Sequence, residues 1–213
     1  MKKLFCRHSG LCRMLVCAVL LAGCASTHPY AGYLEMPALL QKGKYFKQEY
    51  VAEGTHFSKY RKVYIDDVSL DYLGNREKHK DEDLEKLVVR FKEELEKKLG
   101  EGYAMAARGE ATDASTLVIR SALVYVAAPN RTLNVVTTAV AWMPISSGSA
   151  AFEAKVVDGG TGQILAEIAE KQTSGKGLKS LAVGAYTKYD HAAAAFREWG
   201  TQLLEMFKSP EYL

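Results

Sequence analysis

A single apolar stripe along residues 81–99 constrains the fold of this chain more than any other feature. Its members recur at the spacing of one helix face: Leu84, Leu87, Val88, Phe91, Leu95 and Leu99. Acidic residues 81–83 begin this stretch, Lys97 and Lys98 lie near its end, and Gly100 follows, which suits a helix and its dipole. A helix with one apolar face must bury that face against another layer.

A second amphipathic helix is predicted from about residue 190 to residue 208, where Pro210 stops it. Alternating or β-rich apolar stretches predict strands at 61–72, 103–107, 116–127, 150–157 and 163–171. The glycine-rich turn Asp158–Gly162 makes the last two strands a hairpin. This order predicts an α+β fold, a two-layer sandwich in which a mostly antiparallel sheet carries two amphipathic helices.

The first 23 residues predict an export signal. Four basic residues and no acidic residue accompany an apolar run, Met14–Ala22, which is too short to span a bilayer of about 30 Å. The run ends in Leu21-Ala22-Gly23-Cys24, which resembles the lipobox of bacterial lipoproteins. The resemblance implies cleavage before Cys24 and lipid attachment to its thiol. The alternative is that Cys24 is a buried small residue behind an uncleaved anchor.

The residue after the predicted lipid attachment site is Ala25. By resemblance to the sorting pattern of enteric bacteria, in which Asp at this place retains a lipoprotein in the inner membrane, Ala25 favours the outer membrane. We therefore expect a protein of the bacterial outer membrane, lipid-anchored and facing the periplasm.

Removal of the signal changes the charge of the chain. Four of the 28 basic residues lie in it, which leaves 24 against 25 acidic residues, a formal charge of −1 over the remaining 190 residues. This balance, with no dense stripe of Lys and Arg, gives little support for nucleic-acid binding. All four cysteines lie at or before residue 24, which excludes a disulfide scaffold or a thiolate site beyond it.

The sequence predicts four consecutive parts. They are the signal peptide 1–23, a lipid-anchored tether 24–31, an irregular aromatic-rich segment 32–60 packed on the domain, and the α+β domain 61–213. Leu34, Leu39 and Leu40 are the expected contacts of the irregular segment.

Several short motifs, in order behind the lipobox, resemble a lipoprotein family known as domain of unknown function 3313. They are Gly32-Tyr33-Leu34, Tyr50-Val51 with Gly54, Tyr60 to Val63 with Ile65-Asp66, the turn Asp158–Gly162 with Ile164 to Ala166, and Tyr189 to Ala192 with Ala195, Phe196 and Trp199. The family has no assigned activity, so the resemblance implies no reaction.

Two histidines invite a chemical interpretation. His79 and Asp83 have the i, i+4 spacing of a helical metal-ligand pair, but an acidic helix start needs only solvent. Asp190 beside His191 could be an acid–base pair, but an aspartate at a helix N-cap is the simpler explanation.

Two further patterns fall short of a catalytic site. The glycines of the turn 158–162 join two strands and lack the lysine of a phosphate-binding loop. Asp66 and Asp67 are adjacent on a predicted strand, so their side chains should face opposite sides. We therefore expect no catalytic, cofactor-binding or metal site, and no cofactor besides the covalent lipid on Cys24.

Residues 132–152 form an uninterrupted run of 21 uncharged residues. Polar residues and Pro144 within it do not suit a transmembrane helix. The run is either a buried connection over the sheet or an apolar contact surface for a partner or a lipid surface. The surface would consist of Leu133, Val136, Val140, Trp142, Met143 and Ile145.

These features together predict a non-enzymatic accessory or binding protein. Its partners would be the membrane, through the N-terminal lipid, and another protein of the cell envelope, with no nucleic acid. The alternatives are an enzyme that acts on envelope polymers and a carrier of small ligands.

Overall fold

The computed structural model describes residues 30–111, 113–126, 149–173 and 190–212. Its helices and strands are, in chain order, β1 (Gln48–Val51), β2 (Lys62–Ile65), α1 (Asp81–Leu99), β3 (Ala104–Met105), β4 (Thr116–Val126), β5 (Ser149–Asp158), β6 (Ile164–Thr173) and α2 (Asp190–Phe207). The six strands form one sheet in the order β1-β6-β5-β4-β2-β3. Strand β2 is parallel to β3 and β4, and the other pairs are antiparallel. The predicted α+β class and mostly antiparallel sheet are confirmed.

Both helices pack on one side of the sheet, here called the helix face. The ring of Phe152 on β5 stacks on Trp199 of α2, with 4.3 Å between centroids, and lies 6.0 Å from the ring of Phe91 on α1. Because side chains alternate along a strand, Glu153 and its same-side neighbours point to the opposite side, here called the far face. Residues 31–36 lie on the far face, against Glu153 and Glu167.

The helices were predicted more closely than the strands. Helix α1 covers the predicted residues 81–99, and α2 ends at Phe207. The predicted strand 61–72 is wrong in length, because regular pairing of β2 with β4 stops at Ile65. The ladder is interrupted at Asp66 and Asp67 and resumes only as a single bridge between Ser69 and Ala122.

Strand β1 lies within residues 32–60, where the sequence predicted irregular structure. It pairs antiparallel with β6 and forms an edge of the sheet. Its sequence, Gln-Glu-Tyr-Val, has no alternation of apolar and polar residues, so only long-range pairing reveals it. Of the predicted contacts, Leu34 is buried, whereas Leu39 is exposed, so that part of the prediction is wrong.

Helices α1 and α2 approach each other closely at Gly200. A Cβ atom added to Gly200 would lie 2.8 Å from Cβ of Lys98, which is closer than side chains tolerate. Beside this contact, the buried carboxylate of Glu94 accepts two hydrogen bonds from the guanidinium of Arg197, each 3.2 Å long. Glu94 also pairs with Arg90 of its own helix, 2.7 Å from Nη2 of Arg90 to Oε1 of Glu94.

Candidate functional site

Residues 31–36, here called the strap, cross the far face of the sheet without joining it as a strand. The strap enters over the middle of the sheet, where Ala31 packs with Ala122, Val124 and Ala151 of β4 and β5. Of the residues that the structure describes, only Tyr30 precedes the strap.

The carboxylate of Glu153 binds the first half of the strap. The backbone N–H of Ala31 donates to Oε1 at 2.7 Å, and that of Tyr33 donates to Oε2 at 3.2 Å. Glu153 is only 1% exposed, in the middle of β5. A buried carboxylate needs such donors, because burial without them would cost several kcal/mol.

Glu167 on β6 binds the second half of the strap in the same way. It is fully buried and accepts the backbone N–H of Glu35 at 2.7 Å and that of Met36 at 2.8 Å, one on each oxygen. In the sheet Glu167 pairs with Lys155 of β5, so the two carboxylates lie on neighbouring strands. Together they bind four of the six residues of the strap; this pair of carboxylates is here called the clasp.

The same device continues beyond the strap. Buried Glu49 accepts the backbone N–H groups of Lys44, Tyr45 and Phe46, at distances from 2.9 to 3.2 Å. Glu170 of β6, 2% exposed, accepts the backbone N–H of Lys47 at 2.7 Å. Charge-assisted hydrogen bonds to carboxylates thus hold the chain at intervals from residue 31 to residue 47.

Gly32 gives the strap the bend that the clasp requires. Its φ of +96° lies in the left-handed region, which L-residues with a side chain rarely adopt. The bend lies between Ala31 and Tyr33, whose N–H groups both reach Glu153. This geometry explains the glycine in the motif Gly32-Tyr33-Leu34.

The electrostatics of the clasp follow from its burial. Burial raises the pKa of Glu153 above its ordinary value, the hydrogen bonds from Ala31 and Tyr33 oppose this, and the charge of Glu167 adds to it. Burial likewise raises the pKa of the Tyr33 hydroxyl, with the charge of Arg120 acting in the opposite direction. Burial thus disfavours the charged form of Glu153, and the two backbone donors offset part of that effect.

Side chains of the strap add contacts with β5 and with Tyr72. The ammonium of Lys155 lies 4.6 Å from the centroid of the Tyr33 ring and 3.0 Å from Oε1 of Glu35. The Tyr33 ring also packs edge-on against Tyr72, with 5.3 Å between centroids. The strap is therefore fixed through its backbone and through its side chains.

A further carboxylate, Asp158, organises the β5–β6 turn. It accepts the Tyr60 hydroxyl at 2.6 Å, the backbone N–H of Thr161 at 2.9 Å and the Lys59 ammonium at 3.3 Å. Burial alone would raise its pKa, but these donors outweigh it and lower the pKa of Asp158 to about 2. Asp158 thus stabilises the turn and its contact with residues 59–60.

The glycines of this turn serve packing and conformation, as the sequence suggested. Gly162 has φ of +74°, and a Cβ on Gly159 would lie 2.5 Å from the backbone oxygen of Ala111. The turn joins β5 to β6, so no helix N-terminus follows it.

A groove of about 540 Å³ lies at the β1 edge of the sheet. Its lining combines charged and aromatic side chains, among them Lys42, His56, Glu53, Tyr50 and Tyr212. The volume is within the usual range of ligand pockets, which is about 300–1,000 Å³.

The predicted functional residues lie largely outside the described part of the chain. Cys24 does, and so do all six residues of the predicted contact surface, Leu133, Val136, Val140, Trp142, Met143 and Ile145. The structure therefore leaves lipid attachment and the contact surface as predictions.

His79 and Asp83 do not lie on one helix, because α1 begins at Asp81. The Nε2 atom of His79 lies 3.1 Å from the carbonyl oxygen of Val126 and 3.2 Å from the side-chain nitrogen of Asn75. Across the described ranges no three His, Cys, Asp or Glu side chains are grouped as metal ligands would be. The two residues therefore do not form a ligand pair on one helix face, as the spacing suggested.

Asp66 and Asp67 have different partners. Asp66 lies 3.6 Å from Arg120, whereas Asp67 pairs with Arg108. They follow β2 instead of lying on it, but their carboxylates diverge as the sequence predicted. Helix α2 begins at Asp190, the residue that the sequence placed at its N-terminus.

Comparison with known protein families supports the resemblance noted in the sequence. The family described as protein of unknown function (DUF3313) matches residues 30–203, a region that includes the strap, the whole sheet and most of α2. The chain belongs to the DUF3313 family. No curated protein sequence matches it.

Some solved structures share part of the architecture. Two structures of the PelC dodecamer from Paraburkholderia phytofirmans, one of a point variant, have 11% and 8% identity and TM-scores of 0.40 and 0.41. The match covers 73% of this chain in both and 96% and 94% of the PelC chain. A DUF4136 family protein from Bacteroides thetaiotaomicron has 16% identity and a TM-score of 0.34, over 77% of this chain and 95% of the other. Likeness at this level carries no functional conclusion.

Sequence reasoning missed the clasp. Its only signal is an acidic residue inside an apolar strand, in Ala-Phe-Glu153-Ala and in Leu-Ala-Glu167-Ile. Simple alternation assigns such a residue to a solvent-facing side, whereas here a strap from more than 100 residues earlier covers both carboxylates.

Proposed function

We propose that this DUF3313 protein is an envelope lipoprotein, anchored through lipid on Cys24 to the outer membrane, that acts as a non-enzymatic accessory or binding factor in the periplasm. The clasp is the observation that carries the proposal. A lipid tether needs a firm attachment to the domain, and Glu153 and Glu167 bind the chain about seven to twelve residues after Cys24, the predicted end.

The partners of the buried carboxylates support a non-enzymatic role. Glu49, Glu153, Glu167 and Glu170 each accept backbone N–H groups of the segment 31–47. A general acid or base must instead present its carboxyl group to a substrate. The carboxyl groups of these four glutamates are therefore occupied by the backbone of the segment 31–47.

Lipid attachment is tested by metabolic labelling of the full-length protein with radioactive palmitate. We expect the unaltered protein and the control Cys17→Ala to incorporate label and to fractionate with the outer membrane. Cys24→Ala should do neither. Equal labelling of Cys24→Ala would show that the lipid, if any, is attached elsewhere and would refute the proposal.

The partner would bind through the uncharged stretch, with Trp142 as its central large side chain. A photo-crosslinking amino acid at position 142 in cells should capture a specific envelope protein, and one at exposed Lys97 should not. Trp142→Arg separates the two explanations of the stretch. A folded variant that loses the crosslinked partner supports a contact surface, whereas an unfolded variant returns the stretch to the core.

The groove at the β1 edge favours a second candidate, a carrier of a small polar ligand. Its charged lining, including Lys42 and Glu53, suits a molecule with both donors and acceptors. A ligand that co-purifies should appear in native mass spectra of the unaltered protein and be lost from a Tyr50→Ala variant. Retention of the same ligand by that variant would place it elsewhere.

A further inference from the structure

We infer that the far face of the sheet is turned toward the lipid bilayer, and that the helix layer is turned away from it into the periplasm. This inference rests on the proposed lipid attachment at Cys24. It identifies the surface of the domain that meets the membrane and the kind of partner it meets, the headgroup layer of the bilayer.

The tether joins the domain at the middle of the far face. There Ala31, at the start of the strap, contacts the two central strands, β4 and β5, and its backbone N–H binds Glu153. The clasp prevents the strap from peeling off this face under tension. The tether therefore departs from the centre of one face and not from a corner of the domain.

The tether is short. The six residues 24–29 precede Tyr30, and a fully extended chain of six residues spans about 20 Å at most. Lipid on Cys24 would thus keep the far face within about 20 Å of the headgroups. To bring the helix layer to the membrane instead, the tether would have to pass around the whole thickness of the domain.

The side chains of the two faces fit this orientation. On the far face Arg120 pairs with Asp66, and Glu35 pairs with the largely buried Lys155, beside Tyr33 and Tyr72. Tyrosines are common at the interface between lipid and water. The exposed charges on the outer face of α1 are likewise paired, Glu82 with Lys86 and Arg90 with Glu93, but α1 contains no tyrosine.

Two arginines offer a matched pair of labelling positions. Arg120 on the far face and Arg90 on α1 have side chains that are 49% and 50% exposed. Arg120 pairs with Asp66, and Arg90 pairs with Glu93 and with the buried Glu94, which keeps Arg197 as a partner when Arg90 is replaced. The chain has no cysteine after residue 24, so Arg120→Cys or Arg90→Cys introduces a single free thiol into a protein whose Cys24 carries lipid. A small donor fluorophore on that thiol reports its distance from the membrane.

The experiment uses the full lipidated protein in vesicles of phosphatidylethanolamine and phosphatidylglycerol that contain a trace of headgroup-labelled acceptor lipid. We expect energy transfer from position 120 to be at least twofold higher than from position 90. Equal transfer, or higher transfer from position 90, would overturn the inference. Palmitate labelling and vesicle flotation of the same samples show separately whether lipid attachment itself has failed.

A second arm tests the clasp. In the Arg120→Cys background, Glu153→Gln combined with Glu167→Gln should release the strap and lower the energy transfer toward the value of position 90. Unchanged transfer in a folded double variant would refute the role of the clasp in orientation. If circular dichroism shows that the double variant is unfolded, the orientation of the domain is decided by the comparison of positions 120 and 90 in the otherwise unaltered protein.

Discussion

The backbone N–H of Ala31 donates to the carboxylate of Glu153 at 2.7 Å, across a separation of 122 residues in the chain. The bond joins the start of the strap to the central strand β5 of the sheet. Glu153 is almost completely buried by this contact and by its neighbours on the far face. The N-terminal segment is therefore an integral part of the domain.

Amide hydrogen exchange should resolve the two halves of the clasp. Glu153→Ala removes the acceptor of Ala31 and Tyr33, so those two amides should exchange at least tenfold faster, as expected for the loss of a bond to a charged group worth about 1.5–3 kcal/mol. Glu35 and Met36 should keep their protection, because Glu167 still binds them. Glu167→Ala should give the reverse pattern, and uniform loss of protection in either variant would contradict two separate attachments.

Gly32→Ala should destabilise the protein although the added Cβ meets no atom. Its φ of +96° is costly for alanine, and we expect the free energy of unfolding to fall by about 1–2 kcal/mol. Gly109→Ala is the matched control, since Gly109 also has open space around it but no positive φ. Urea titration should show a change of no more than about 0.5 kcal/mol for the control. Equal effects of the two substitutions would argue against strain at Gly32.

Asp158 should stabilise the fold in a pH-dependent way. Its pKa is about 2 in the folded protein against an ordinary value of 3.8, so its contribution is present above pH 3.8 and is lost as pH falls to about 2. At pH 7, Asp158→Asn should lower the free energy of unfolding by about 2 kcal/mol.

The measurement is a series of denaturant titrations of both proteins between pH 2 and pH 7. The difference between them should shrink below pH 4, and this difference isolates Asp158 from the other carboxyl groups. If the difference in the free energy of unfolding stays constant down to pH 2, the charge of Asp158 does not contribute to stability.

The two aromatic residues between the helices should be core residues. Phe91 and Phe196 are fully buried, and their rings pack edge-on with 4.9 Å between centroids. Truncation of either residue to Ala should lower the free energy of unfolding by about 3–5 kcal/mol. Lys97→Ala, on the polar side of α1, should change it by no more than about 0.5 kcal/mol. Thermal melts in which either phenylalanine variant matches the unaltered protein would be incompatible with this packing.

The contrast between α1 and the strap shows what a sequence reveals by itself. The boundaries of α1 follow from nearby residues, because its apolar stripe, its end charges and Gly100 all lie within the helix or beside it. The strap has no such pattern, since its partners Glu153 and Glu167 lie 120 to 132 residues further along the chain. Strand β1 was missed for the same reason, because it depends on pairing with β6.

The long separation within the clasp also sets an order of assembly. A chain made from its N-terminus presents the strap well before the strands that carry Glu153 and Glu167 exist. Contacts of such high sequence separation close late in folding. The strap must therefore wait, unbound, until the β5–β6 hairpin has formed. Until then the backbone N–H groups of the strap lack their carboxylate acceptors, so this segment docks only after most of the chain has been made.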